Sequence, residues 1–286
     1  MTRPDDLKIT ACITAMNEED KIEACLAALT WCDEIIVVDS FSTDRTVEIC
    51  KRYTPRVVQH KWEGYIAQKN FIRSLASHPW VLFVDADEVV SPDLRKAIEE
   101  EFARGPGDIV GYSFPRLVYH LGRWIRHGEW YPDLKLRLFR KDKGYSGGQE
   151  PHDRVVLDGP SKTLHAPLYH FTYDDLSDQI ETLNRFSSIS AHEKYSDGRR
   201  FRWSDLLFRP IWRFFKAYIL KRGFLDGRAG FIIAAASSFG VLAKYAKIAE
   251  ADMIKDRRTA AEVLAANLRR DKADSASSAT PPPPAP

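Results

Sequence analysis

Val81-Leu82-Phe83-Val84-Asp85-Ala86-Asp87-Glu88 is the stretch on which the reading of this chain turns. A short apolar run that ends in spaced acids reads as a buried parallel strand emerging, at its carboxyl end, into a polar crevice. In open α/β sheets that edge is where ligands sit. Asp85 and Asp87 can aim two carboxylates at one divalent cation, with water and phosphate oxygens completing its shell. Mg²⁺ or Mn²⁺ suits such a site, because both prefer oxygen ligands and share them with a substrate diphosphate. Spaced acids also occur on solvated loops, so the strands upstream carry the argument.

Lys8 to Ala15 reads as a first buried strand, ending in Thr14-Ala15-Met16-Asn17-Glu18. Asn17 is expected to cap a helix whose first turn holds Glu18, Glu19 and Asp20. Glu34 to Asp39 is a second strand, after which Ser42 or Thr43 caps a helix running to about Tyr53. Arg56 to His60 and Glu63 to Ala76 add a third strand and a third helix before Trp80. Four such alternations predict an α/β fold with a mostly parallel, Rossmann-like sheet and helices on both faces. Asp39 then lies at one strand end and Asp85 and Asp87 at another, where a nucleotide can span them. The first strand is followed by no Gly-x-Gly-x-x-Gly, and no Gly-Lys-Ser/Thr occurs, which disfavours dinucleotide dehydrogenases and P-loop enzymes.

In order and spacing, Thr14 to Glu18, Val38-Asp39-Ser40-Phe41-Ser42-Thr43-Asp44-Arg45-Thr46, Gln68-Lys69-Asn70 and Phe83 to Glu88 resemble the family-2 glycosyltransferases of GT-A fold. The resemblance covers about residues 7–103. It implies that Asp39 holds the nucleobase, usually uracil, and that Thr14, Glu18, Lys69 and Asp85 line the nucleotide-diphosphate sugar. Asp87 becomes a metal ligand, with Asp85 beside it. Read without the resemblance, Asp44 is a first-turn helix acid, Asn70 a packing or backbone-bonded residue, and Lys69 a solvated lysine.

Arg104-Gly-Pro-Gly-Asp is a turn cluster and the seam between a nucleotide-sugar half (about 7–103) and an acceptor half (about 109–198). The aromatic and cationic stretch from Tyr119 to Asp133 either contacts sugar or packs a hairpin. Leu134 to Arg140 alternates as a half-exposed strand. His152-Asp153 follows where the branch most resembled, the lipopolysaccharide-core glucosyltransferase-like proteins, has a His-Glu pair whose acid is the general base. Asp153 is one methylene shorter, which leaves Asp153 and Glu150 as alternative bases. The resemblance also offers His170 as a metal ligand, against a buried or capping role.

Residues 199–270 are read as a basic, amphipathic helical region and 271–286 as a disordered tail. A helix starting at Pro210 gathers Ile211, Trp212, Phe214, Phe215, Tyr218 and Ile219 on one arc, with Arg213, Lys216 and Lys221 outside it. That pattern suits either an anionic membrane surface or docking on the sheet. Phe231 to Ala243 is apolar but reads as too short to span a bilayer, and Met1 to Lys8 carries no signal peptide. Cys12, Cys25, Cys32 and Cys50 form no Cys-x-x-Cys pair and read as reduced thiols. With 29% charged residues and a net charge of +2, nothing points to nucleic acid.

The function expected is therefore a metal-dependent, inverting hexosyltransferase, cytoplasmic and peripheral on the inner membrane face. It passes a hexose, by resemblance glucose, from a nucleotide-diphosphate sugar to a lipid-linked glycan. The rivals are a sugar-nucleotide nucleotidylyltransferase, which needs a Gly-rich basic loop after the first strand, and a membrane-associated nucleotide-sugar binding or scaffold protein without turnover.

Overall fold

Strand and helix alternate through the first third of the chain. The computed structural model describes residues 3–149 and 152–254. In order come β1 (Ile9–Ala15), α1 (Ile22–Ala27), β2 (Glu34–Asp39), α2 (Thr46–Tyr53), β3 (Val57–Gln59), α3 (Tyr65–Leu75) and β4 (Trp80–Asp85). β5 (Glu88–Val90), α4 (Pro92–Arg104), β6 (Gly111–His120), β7 (Arg123–Ile125), β8 (Asp133–Arg140), β9 (Gly144–Gln149), β10 (His152–Leu157), β11 (Ser161–Thr163) and β12 (Leu168–His170) follow. Helices α5 (Leu176–Ser196), α6 (Trp203–Phe215) and α7 (Gly227–Met253) complete the described residues.

The main sheet runs β3-β2-β1-β4-β8-β6-β12-β5. The first four strands are parallel, β8 is antiparallel to both β4 and β6, and β12 is parallel to β6. Although β4 and β5 are separated by only two residues, three other strands lie between them in the sheet order. The sheet must therefore curl, and the turn at Ala86-Asp87 closes the gap. Antiparallel pairing of β12 with β5 sets His170 opposite Glu88, one residue beyond Asp87.

Period-two burial explains the two helical layers. Ile9, Ala11, Ile13, Leu82 and Val84 face one core, shared with Leu26 of α1 and Leu94 and Ile98 of α4. Cys12, Val81 and Phe83 face the other, with Ile72 of α3 and Phe139 of β8. All four cysteines are free.

Several local expectations give way to the packing. Asn17 does not cap α1; it takes a positive φ of 55° and its Oδ1 accepts from Thr43 N at 2.8 Å, tying the loops after β1 and β2 together. Ser42 caps no helix but donates to Asp39. Asp44 accepts from Glu19 N and Thr46 N, so it braces the same loops. The strand expected to be half-exposed, β8, lies between two neighbours and buries Arg137, Leu138 and Phe139.

Pro210 is not at the first turn of a helix but inside α6, which begins at Trp203. Its carbonyl accepts from Ser238 Oγ of α7 at 2.8 Å. α6 is followed by a π-helical turn, Lys216–Leu220, and a 3₁₀ turn, Gly223–Asp226. The apolar stretch expected to be too short lies within the 27 residues of α7. Ser237, Ser238 and Gly240 do not break it, and Gly223–Met253 is long and apolar enough to cross a membrane by length and composition. α7 packs Tyr245 and Ile248 on Ala191 of α5, and Phe231 on Phe214 and Tyr218. Gly230 approaches Gly223 so closely that no Cβ fits between them. Buried Asp226 accepts from the backbone N–H groups of Arg126 and His127, which joins the helices to the loop after β7. On α6, Phe208 (68% exposed) and Ile211 (67%) face outward with Trp203, Leu207 and Trp212.

Candidate active site

The carboxyl ends of β1, β2 and β4 meet one crevice edge. Thr14 stands opposite Asp85 across the β1–β4 ladder, and Ala15 opposite Asp39 across β1–β2. Asp39 itself is fully buried: its carboxylate accepts from Ser42 N (3.0 Å), Ser42 Oγ and Gln59 Nε2 (3.3 Å). In this arrangement it shapes the loop that leaves Phe41 exposed at a positive φ. Gln68 of α3 braces that loop further, donating to Ser40 Oγ at 2.8 Å while its Oε1 meets His60 Nδ1.

Lys69 is the largest departure from a solvated lysine. Held on the buried face of α3, its ammonium lies 3.2 Å from Asp85 Oδ1 and 3.1 Å from Asp153 Oδ2. Asn70, the next residue, donates to Ser146 O (2.7 Å) and accepts from Ser146 N (3.0 Å), clamping the β9–β10 hairpin onto α3. Ser146 Oγ in turn donates to Asp153 Oδ2 at 3.3 Å. Asp153 is thus aimed by two groups from different elements. Glu150 lies outside the described residues.

Asp85 is shared between two cations, since its other oxygen accepts from Arg137 Nη2 at 2.5 Å. Burial alone would push the Asp85 carboxyl up, but Arg137 and Lys69 hold it well below the usual carboxylate range. Both of its oxygens are engaged by protein cations, so here Asp85 anchors the Lys69 and Arg137 side chains. Arg137 also meets Glu88 at 2.9 Å, and Glu88 Oε2 accepts from Asp85 N at 3.0 Å. Arg116 then links Glu88 (3.5 Å) to Asp133 (2.8 Å). Sequence reasoning missed Arg116, Arg137 and the role of Glu88. The only signal was an arginine set in a strand that, once flanked on both sides, has no exposed face.

Asp87 and His170 are brought together as expected, Oδ2 to Nε2 at 3.0 Å. Adjacent donors of an octahedral ion with bonds of about 2.1 Å stand ~3 Å apart, so this pair fits one edge of such a shell. Glu18 faces the same place: burial, with the Asp87 charge adding to it, pushes its carboxyl up to about 7, and Lys21 pulls the other way. An excess of negative charge around Asp87 is the field a divalent cation relieves. No three His, Cys, Asp or Glu side chains converge among the described residues, so two protein donors leave the rest of a shell to diphosphate and water.

The aromatic stretch packs a hairpin. Trp124 of β7 stacks near Tyr119, Tyr169 and Phe171, and His120 meets Trp130 and Tyr173.

The model of glycosyl transferase family 2 matches residues 10–159, more than half of the chain. The chain belongs to this family. Its curled α/β sheet is the GT-A arrangement, and within the family it is similar to the lipopolysaccharide-core branch. The lipopolysaccharide core biosynthesis glycosyltransferase LpsC of Rhizobium meliloti is 31% identical over 265 residues, 90% of this chain and 98% of that protein. The glycosyltransferase RT0209 of Rickettsia typhi is 30% identical over 256 residues, 85% and 87% of the two chains. Likeness at this coverage extends past residue 159 into the helical part. Among solved structures, S. aureus TarS in complex with UDP-GlcNAc is 16% identical with a TM-score of 0.46, covering 84% of this chain and 92% of that one.

Proposed function

We propose that this family member is a metal-dependent, inverting hexosyltransferase. It moves a hexose, glucose by the branch resemblance, from a nucleotide-diphosphate sugar to a hydroxyl of a lipid-linked glycan such as lipopolysaccharide core. The observation that carries the reading is the link Asp153–Lys69–Asp85, in which one ammonium joins an acid of the acceptor half to the first acid of the Asp-x-Asp motif. A sugar hydroxyl is a poor nucleophile until its proton is accepted during attack. Asp153 accepts that proton, with Lys69 and Ser146 fixing the carboxylate's direction. The hydroxyl oxygen bonds to the anomeric carbon while the bond from that carbon to the diphosphate oxygen breaks on the opposite side, which inverts the configuration.

Asp87 and His170 would hold Mg²⁺ or Mn²⁺, which when bound neutralises the charge growing on the departing diphosphate. Lys69 supplies a further positive charge at the same edge. Thr14 and Glu18 border the nucleotide, Asp39 sets the loop against which the base rests, and Asp85 positions Lys69 and Arg137. The name of the Rhizobium meliloti relative supports a lipopolysaccharide-core acceptor. The outward apolar residues of α6 support a peripheral position on the inner membrane face, with residues 199–270 as the attaching region, of which 255–270 lie outside the described residues.

Asp153→Asn is expected to lower kcat by about 10²-fold or more while uridine diphosphate binding survives, because only proton acceptance is removed. A near-normal kcat in this variant moves the base elsewhere, with Glu150→Gln the next to assay. Asp87→Ala should abolish the increment that Mn²⁺ adds to uridine diphosphate binding in calorimetry. Equal binding by variant and parent, with and without Mn²⁺, removes Asp87 from the metal.

Membrane attachment has its own test. Apolar burial contributes about 25 cal/mol per Å² and each nearby cation up to ~1 kcal/mol on anionic lipid, the latter screened by salt. The protein should therefore sediment with anionic vesicles and much less with neutral ones, with partial release in high salt. Trp212→Glu combined with Phe215→Glu should release nearly all of it. Protein that stays in the supernatant with both vesicle types contradicts the placement.

A further inference from the structure

Between the helical part and the transferase sheet lies a second concavity, away from the crevice edge. It is a groove of about 330 Å³, bordered by α5, α6, α7 and the loops before β8 and after β12. That volume falls in the range of small-molecule sites, roughly 300–1,000 Å³. Trp130 and Tyr173, with ring centroids 5.8 Å apart, supply flat aromatic surface, and Phe186 of α5 adds a third ring. Ser190 offers a hydroxyl, and Arg213 of α6 and Lys244 of α7 bring positive charge.

Among the described residues, cations outnumber carboxylates at and beside this groove. Arg213 shares the Glu129 carboxylate with Lys216, at 2.7 and 3.1 Å. Arg209 shares Asp205 with Arg199. Two cations per carboxylate leave positive charge over in both places. Lys244 has no ion-pair partner among the described residues; it lies over the Tyr245 ring at 5.0 Å. Burial, together with repulsion from Lys194, Arg209 and Arg213, draws its ammonium below the ordinary lysine value. A half-buried cation held among other cations gains from any anion that enters, and the low local dielectric strengthens that gain.

We infer that this groove is an acceptor subsite for a phosphorylated saccharide, its rings meeting the sugar face and Arg213 and Lys244 meeting the phosphate. Aromatic planes take the apolar face of a sugar ring, while guanidinium and ammonium groups are the phosphate-binding side chains. The segment after β12 links the groove to the transfer site. Tyr173 is three residues beyond His170, which meets Asp87, and Asp174 pairs with Lys21 at 2.9 Å beside Glu18. A glycan anchored by its phosphate in the groove thus reaches toward the crevice from the side opposite the β2–β3 end of the sheet, where the nucleotide would lie. The word acceptor rests on the transferase reading; the affinity for a sugar phosphate does not.

The test is calorimetry on the full chain, with glucose 6-phosphate, glucose and inorganic phosphate as separate probes and uridine diphosphate with Mn²⁺ as the donor-site control. Glucose 6-phosphate should bind, and glucose and phosphate should each bind at least about tenfold more weakly, since a charge-assisted contact is worth about one factor of ten or more. Lys244→Met should weaken glucose 6-phosphate by about tenfold or more, Lys244→Arg should restore it, and uridine diphosphate binding should stay unchanged in both. Ser190→Tyr, which fills the groove without altering its charge, should have the same effect as Lys244→Met and covers the case in which that variant does not fold. Glucose 6-phosphate binding that is absent, or indifferent to these variants, overturns the inference while leaving the transferase reading intact. Phosphate binding as tightly as glucose 6-phosphate overturns the saccharide component. If Lys244→Met instead abolishes sedimentation with anionic phospholipid vesicles and leaves glucose 6-phosphate binding unaltered, the groove holds a lipid headgroup and the inference also fails. Failure of wild-type protein to bind uridine diphosphate counts against the transferase reading alone.

Discussion

Opposite charges alternate through the centre of this fold, in the order Asp153, Lys69, Asp85, Arg137, Glu88, Arg116 and Asp133, each within ion-pair distance of the next. Glu88 and Arg137 are almost fully buried, so neither can be left without its partner. Losing one side of a buried pair costs about 3–5 kcal/mol, because the remaining charge stays desolvated. The run therefore fixes which strands may neighbour β4. Only β8 can present Arg137 between Asp85 and Glu88, and only a curled sheet can return β5 close to β4.

The candidate site inherits its geometry from that constraint. Because β5 closes on β12, Asp87 and His170 meet without either lying on a long flexible loop. α3 contributes at three successive positions: Gln68 supports the loop after β2, Lys69 enters the charge network, and Asn70 holds the hairpin that carries Asp153. One helix thus joins the loop after β2 and the end of β4 to the β9–β10 hairpin. The helical part is fastened by Asp226 to the loop after β7, which places the groove beneath α5 and α7 against the same sheet.

Much of the first hundred residues was legible because the buried strands declare themselves by apolar runs, and β2 and β4 by the acids that end them. The resemblance offered Asp87 and His170 to one metal site, and they lie 3.0 Å apart; Asn70, read by itself as packed or backbone-bonded, bonds to the backbone of Ser146. What failed was whatever depended on neighbours far along the chain. Arg137 looks solvent-facing in an alternating strand until both flanks are known. Lys69 looks solvated on its helix alone, where only the resemblance placed it in the site; Asp85 and Asp153 converge on it. Asn17 has the residue type of a cap, yet a positive φ and a long-range partner claim it. In α6 a proline read as a helix start lies inside the helix, and its carbonyl accepts from Ser238 of α7.

If Lys69 holds Asp153 in register with the Asp-x-Asp edge, the two residues act as one unit. A double-mutant cycle on kcat at saturating donor, with Lys69→Met, Asp153→Asn and the pair, tests it most directly. Residues that act as one unit are non-additive, so the double variant should be little slower than Asp153→Asn alone. Losses that multiply, as for two independent residues, would contradict the account.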